Sequence, residues 1–436
     1  MNLMAKRLDA EEQTKYPVFG ILACILLLMV SPFVSNLIPM AVFGVCVMRI
    51  VMHGPKVFAI DYCLLIPISS LFCLPSGMSL LIWLCLVAMV WYFIRGRVMG
   101  TVTFVLLLVL MNYLFFRMQM NINYFVLCFG HMAMLYVIMD QVDGDTVKQA
   151  LQGFLLSLLI SSVYALVLRN NASINAIVGA EGEAILGTDI QRFKGLYNDP
   201  NFYMTLLVMG LAILFKMKNC DMVRLPLFLL YFLSFSAFGI LTYSKTFFLM
   251  FILLCGIYVL LQYWNKKIFK GIVFTVIAVG AALYFIYSPD SPFAIVMERI
   301  TTAKDLDAVT TGRTDAFAMY WRAITEDMGT FLFGHGLAAP GLRKDSHNLY
   351  LEIMYYIGFV GVVLYLALCV CIIARTARQI NGFREQNVIA KYLVVAMLAI
   401  MYISLNGMFM PLFHSEFFLM LMSMMIVKKT EEEPER

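Results

Sequence analysis

Charge is what this chain lacks. Asp, Glu, Lys and Arg make up 14% of its 436 residues, against roughly 25% in an ordinary soluble domain, and that shortfall excludes a soluble globular enzyme. A hydrophobic fraction of 62% excludes a disordered or collagen-like chain just as firmly. The net charge of +5 is too small an excess over too long a chain for nucleic-acid binding, so no nucleic-acid partner is expected. Ten cysteines are present, but they lie in apolar runs or one short basic loop without CxxC spacing, which encodes neither a disulfide framework nor a zinc site. Gly-rich phosphate loops, HExxH and GxSxG are missing, as is any internal period of roughly 20–50 residues.

What the chain has is apolar sequence from end to end, with a mean hydropathy of +0.85. Runs long enough to cross a bilayer fall near 17–34, 35–52, 57–74, 78–94, 100–116, 122–140, 150–168, 200–216, 225–243, 246–263, 271–288, 347–373, 392–410 and 412–427. The expected fold is an all-α polytopic membrane protein with about 14 transmembrane helices. Twelve or thirteen are allowed because some runs are short and the first two are parted only by Ser35, Asn36 and Pro39. The stretch MNLMAKRLDAEEQTKYPVFG has no short apolar h-region or small-residue cleavage site, so it is expected to be retained.

Sidedness follows from the basic residues. With the N-terminus inside, 21 of the 32 fall on inner segments, and outside the long loops only Arg117 and Lys245 face outward at short turns. The positive-inside rule then puts both tails, 1–16 and 428–436, in the cytoplasm. The chain reads as a single integral membrane domain, 1–436, with two long exterior loops at 169–199 and 289–345. An enzyme working on that face has no nucleotide sugar or ATP at hand and needs a pre-activated donor carried in the membrane.

The exterior loops hold the residues able to do chemistry. The first ends QRFKGLYNDPNFYM, where Arg192 and Lys194 stand just before a break at Gly195, Asn198, Asp199 and Pro200, and Asn201 begins a helix. Two cations beside a helix start make an anion site; the plain alternative is a basic loop resting on lipid headgroups. The second carries TTGRTDAFAMYWRAITEDMGTFLFGHGL, in which Arg313, Tyr320 and Trp321 read as one short helix, followed by Arg322 and ended by Gly334 and Gly336. It closes on RKDSHNLYLEIMYYIGFVG. His347 stands there at a helix start, where an imidazole can accept a proton near neutral pH; alternatively it is a wetted neighbour of a Ser346 cap. Glu352 is a carboxylate inside a span, which is a functional candidate by default. Lys245, in LTYSKTFFLM, either snorkels to headgroups or reaches an anionic ligand. His335 reads as a loop residue.

Taken together, RFKGLYNDPN before a span, an outer YSK, TGRTDAFAMYW followed by FGHGL, and SHNLYLEIMYYIGFVG entering a helix resemble the O-antigen ligase and O-antigen polymerase family of bacterial envelope glycosyltransferases, over roughly 185–375. The resemblance implies a GT-C-like architecture in the bacterial inner membrane. It implies a metal-independent, inverting transferase without a cofactor, whose donor is an undecaprenyl-diphosphate-linked oligosaccharide. His347 would then be the catalytic base, Arg192 would bind the donor pyrophosphate and Arg313 would assist. Lys194, Lys245, Asn201, Arg322, Asn348 and Glu352 would contact substrate. Lys245 stands where many members carry arginine, keeping the charge but losing the two-pronged fork.

The leading functional expectation is a polysaccharide polymerase that transfers a lipid-linked glycan onto a lipid-linked repeat unit. Its expected partners are that lipid-linked oligosaccharide, the lipid bilayer and a chain-length regulator protein. A ligase that hands the glycan to lipid A core shares the donor chemistry. A lipid-linked glycan transporter is the competing class, although paired broken helices at corresponding positions of two halves, which mark many transporters, are not visible.

Overall fold

The computed structural model describes residues 18–74, 79–94, 101–116, 130, 142–178, 191–264, 301, 313–336, 342, 346, 348–380, 393, 395–397, 399–400 and 415–426. These are mostly helical, and no strand occurs among them. The membrane part comprises α1 (Val18–Val34), α2 (Ile38–His53), α3 (Pro55–Leu65), α4 (Leu80–Ile94), α5 (Thr101–Phe116), α6 (Gly144–Val167), α8 (Pro200–Asn219), α9 (Leu225–Leu241), α10 (Lys245–Trp264), α13 (Leu349–Ile380) and α14 (Ser415–Met424). Short helices α7 (Ala172–Val178), α11 (Arg313–Ile324) and α12 (Met328–Phe333) lie in the two long loops. An all-α membrane protein is therefore what the chain forms. Four of the described helices, Gly144–Val167, Pro200–Asn219, Lys245–Gln262 and Leu349–Ala377, are long and apolar enough to cross a bilayer, and others are apolar but shorter. The expected spans 271–288 and, but for Gly130, 122–140 lie outside the described residues, as does most of 392–410.

A helix buried on every side belongs in the middle of a bundle, and α8 is one: from Tyr203 to Met217 every side chain is buried, Thr205 and Lys216 among them. It packs on α6, α9, α10 and α14. Large apolar residues such as Leu26, Leu233, Leu249, Ile252 and Val370 remain exposed on α1, α9, α10 and α13, the lipid-facing surface such a bundle requires.

One expected span is corrected. The run 57–74 does not continue as a helix: α3 stops at Leu65, and a 3-10 turn, Ile66–Ile68, follows. Pro67 has no N–H to offer the ladder, and non-helical backbone at membrane depth survives only where protein satisfies it. Here Ser157 of α6 donates to the Leu64 carbonyl at 2.6 Å, and the Tyr197 hydroxyl donates to that of Ile66 at 2.9 Å. Buried Asp61 of α3 also receives Nε and Nη2 of Arg49 at 2.8 and 3.0 Å. This ion pair pins the half-helix to α2.

A second interruption sits in α13, which the sequence presented as continuous. Gly358 is non-helical, with φ 63°. The ladder breaks, and the carbonyls just before the break find partners elsewhere: His335 N–H donates to Tyr355 O at 2.9 Å, Gly336 N–H to Tyr356 O at 3.0 Å, and the Tyr113 hydroxyl to Ile357 O at 2.8 Å. Gly334 and Gly358 cross backbone to backbone, and a Cβ on Gly334 would lie 2.4 Å from the Tyr356 carbonyl oxygen.

Candidate functional site

The chain from Gln191 to Asn201 is held between two helix ends. Phe193 N–H donates to the Leu241 carbonyl at 2.9 Å, and the Phe193 ring stacks on Phe238 and meets Tyr203 edge-on. Gly195 turns the chain at φ 59°, where a Cβ would come within 2.5 Å of the Tyr203 ring. Asp199 then caps α8, its carboxylate accepting the Asn201 N–H, and Pro200 fills the first helical position, where a missing N–H costs nothing.

That frame fixes Arg192. Its Nε donates to the Thr242 carbonyl at 2.9 Å, and one terminal nitrogen donates to the Asn201 side-chain oxygen at 3.3 Å. Ser244 also donates to that oxygen at 3.4 Å, and Ser244 receives the Phe247 N–H as the cap of α10, whose first residue is Lys245. The Y-S-K turn is tight: Tyr243 has φ 49°, and Gly239 is overlain by Phe247, whose ring would lie 1.9 Å from an added Cβ. Arg192, Asn201 and Ser244 thus come together, with Lys245 next to Ser244 in the chain, and Asn201 serves as a bracket for the guanidinium.

Arg192 and Lys194 line one cavity of about 250 Å³. Arg169 lines it too, and donates to the Gln191 carbonyl at 3.1 Å. Sequence reasoning missed Arg169, although a cation at the exit of a span was the available signal. Lys194 is buried, its Nζ donating to the Val178 carbonyl at 3.3 Å, and burial lowers its pKa. Three cations around one hollow suit a ligand of several negative charges.

Arg313 opens α11 and is partly buried; burial lowers its pKa, while the nearby Asp199 carboxylate acts in the opposite direction. It therefore lies close to the start of α8. Arg322 does not join it. It is exposed in the last turn of α11, nine residues and about 14 Å along the helix. The helix expected from Arg313 to Gly334 is two helices: α11 ends at Ile324, and Asp327 caps α12 by accepting the Thr330 N–H at 2.9 Å. His335 is more than a loop residue, since its ring packs on Tyr355 at 4.4 Å and Tyr320 meets Tyr355 edge-on at 5.3 Å.

His347 lies outside the described residues. Its neighbours in sequence are fixed by a compact network. Asn348, and not Ser346, caps α13, its side-chain oxygen accepting the N–H groups of Tyr350 and Leu351 at 3.0 and 3.3 Å. Ser346 is fully buried and lies 2.8 Å from Glu352 Oε1 and 2.9 Å from the Asn348 carbonyl, while its oxygen accepts the Asn348 N–H. Glu352 is itself 5% exposed; its carboxylate holds Ser346 and its N–H donates to the Asn348 carbonyl, so it is bonded to both chain neighbours of residue 347.

Residues 229–366 match the family model described as O-antigen ligase. That stretch runs from α9 into α13 and takes in Lys245, Arg313, Arg322, His347, Asn348 and Glu352, while Arg192, Lys194 and Asn201 precede it. The resemblance to the O-antigen ligase and polymerase family is borne out. The match supports a glycosyltransferase-like activity of O-antigen ligase or polymerase type in a membrane setting; lipid-linked oligosaccharide is the substrate that this family implies. No curated protein matches the chain.

Proposed function

We propose that the chain is a polysaccharide polymerase, joining lipid-linked repeat units at the outer leaflet by transferring a glycan from an undecaprenyl-diphosphate carrier. The observation that carries the proposal is the hollow lined by Arg169, Arg192 and Lys194. Cleaving a glycosyl–diphosphate bond releases a leaving group that gathers negative charge, and cations already held in place by hydrogen bonds stabilise it with little reorganisation. Arg192, aligned by Thr242 and Asn201, meets that requirement. Arg313 adds a further charge near the start of α8.

In this proposal the acceptor hydroxyl attacks the anomeric carbon while His347 takes its proton, the glycosyl–oxygen bond to diphosphate breaks, and the lipid diphosphate leaves. Ser346 and Asn348, its two neighbours in sequence, are bonded to each other and to Glu352. No metal is required for the charge balance, since the arginines and Lys194 face the diphosphate. The test is reconstitution: full-length protein in nanodiscs with purified lipid-linked repeat units, in EDTA, should yield lipid-linked chains of two or more repeats. If the glycan moves only when lipid A core is added, the protein is a ligase; if it moves onto no acceptor, the transferase reading is overturned.

A further inference from the structure

A second hollow lies on the other side of α7. Of about 430 Å³, it is formed by the end of α1, the start of α2, the turn after the broken helix α3, and α7 itself, and Val178 lines both hollows. The chain also runs from one into the other: Arg192 to Gly195 line the first, and Tyr197 and Asn198 line the second. Their chemistry is opposite. Among the described residues the second lining has no charged side chain. It offers the amides of Asn36 and Asn198 and the hydroxyl of Ser70, set among Pro32, Pro39, the aliphatic Leu71, Leu74 and Ile177, and the Tyr197 ring. The Tyr197 hydroxyl is bonded to the Ile66 carbonyl, so that residue lends the hollow mainly its ring.

A hollow of this size is large enough for a small organic ligand. A phosphate would be poorly held without cations, and an isoprenoid chain would leave the amides and hydroxyl unpaired, which is costly. A pyranose suits both halves of the lining, because its hydroxyl edge pairs with amides and serine while its C–H face packs on proline and tyrosine. We infer that this second hollow is a saccharide subsite that holds an uncharged sugar of the lipid-linked molecule whose diphosphate lies in the first. The inference rests on the proposed function, which assigns the diphosphate to the first hollow. The turn that follows the break in α3 forms one wall of the hollow, through Ser70 to Leu74.

The experiment is site-specific photo-crosslinking in full-length protein held in nanodiscs. A benzophenone amino acid replaces exposed Ile177 in the second hollow or exposed Asn170 in the first. The probes are lipid-linked oligosaccharide extracted from the producing cells and undecaprenyl diphosphate without sugar. Position 170 should capture both probes, and position 177 only the sugar-bearing one, with capture at 177 suppressed by excess free oligosaccharide. Asn198→Ala should weaken that suppression about 3- to 10-fold, the effect of one hydrogen bond. Capture at 170 but not at 177 overturns the subsite and leaves the proposed function standing. Equal capture of the bare lipid at 177 makes the hollow an isoprenoid groove and also overturns it. Capture at neither position overturns both readings.

Discussion

Arg192 donates through Nε to the main-chain carbonyl of Thr242, fifty residues further along the chain. One hydrogen bond thereby ties the segment before α8 to the turn that leads into Lys245, and aims the guanidinium. An arginine held this way differs from a lysine in geometry more than in charge.

Arg192→Lys should therefore lower transfer about 10- to 100-fold, the loss of one or two charge-assisted hydrogen bonds, and Arg192→Ala should lower it further. The decrease should appear in donor affinity, measured by binding of the lipid-linked donor to well-expressed protein. Unchanged affinity in Arg192→Ala would remove the arginine from the diphosphate site.

His347→Ala and His347→Asn should each reduce turnover by roughly 10²- to 10⁴-fold, the usual worth of a general base, with donor affinity retained. Asparagine keeps a polar side chain at the helix start but cannot take a proton near neutral pH. A near-normal rate in His347→Asn, at normal membrane expression, would defeat the base assignment.

Lys194 gives the donor site a pH signature. Burial lowers its pKa below that of a surface lysine, so its charge is present below that value and disappears as pH rises through it. Donor affinity should fall on the alkaline side at lower pH than an exposed lysine would allow, and Lys194→Arg should flatten that limb, because guanidinium stays charged. A titration of donor binding from neutral to alkaline pH decides the point; an identical alkaline fall in Lys194→Arg would exclude Lys194 as its source.

The Arg49–Asp61 pair predicts stability. Asp61 is fully buried and Arg49 nearly so, so Asp61→Ala strands a charge and should cost about 3–5 kcal/mol. The double variant Arg49→Met, Asp61→Leu should recover most of that, since an apolar pair of similar size removes the charge altogether. Thermal unfolding in detergent, followed by loss of monodisperse protein, compares the two.

Sidedness has its own test in a cysteine-free background. Ala180→Cys and Asp305→Cys should react with an impermeant thiol reagent on intact cells, and Ile380→Cys should not. Labelling at 380 without lysis would invert the map and abolish an outer-leaflet mechanism.

Local chemistry made much of this readable. Asp199-Pro200 announced the start of α8, and the Y-S-K turn between two apolar runs proved to be the junction of α9 and α10. What escaped depends on partners distant in the chain. Pro67 could have warned that the run 57–74 would break, but the break is tolerable only because Ser157 and Tyr197 supply hydrogen bonds there. Asp61, a carboxylate inside an apolar run, was not singled out, and its pairing with Arg49 becomes evident only once α2 and α3 pack. Ser346 and Asn348 are both good caps two residues apart, and the bond from Ser346 to buried Glu352 settles which one serves.

Gly358 divides α13 into two lengths with different anchorage. Up to Ile357, the turns that carry Asn348 and Glu352 are fastened to residues 335–336 after α12 and to Tyr113; beyond it, the helix runs on to Ile380 with exposed Val363, Leu366 and Val370 for lipid to cover. A bilayer that thickens or thins makes its spans tilt or stretch. Because the helical ladder is interrupted at Gly358, an adjustment made beyond it is not carried rigidly into the turns that hold Asn348 and Glu352.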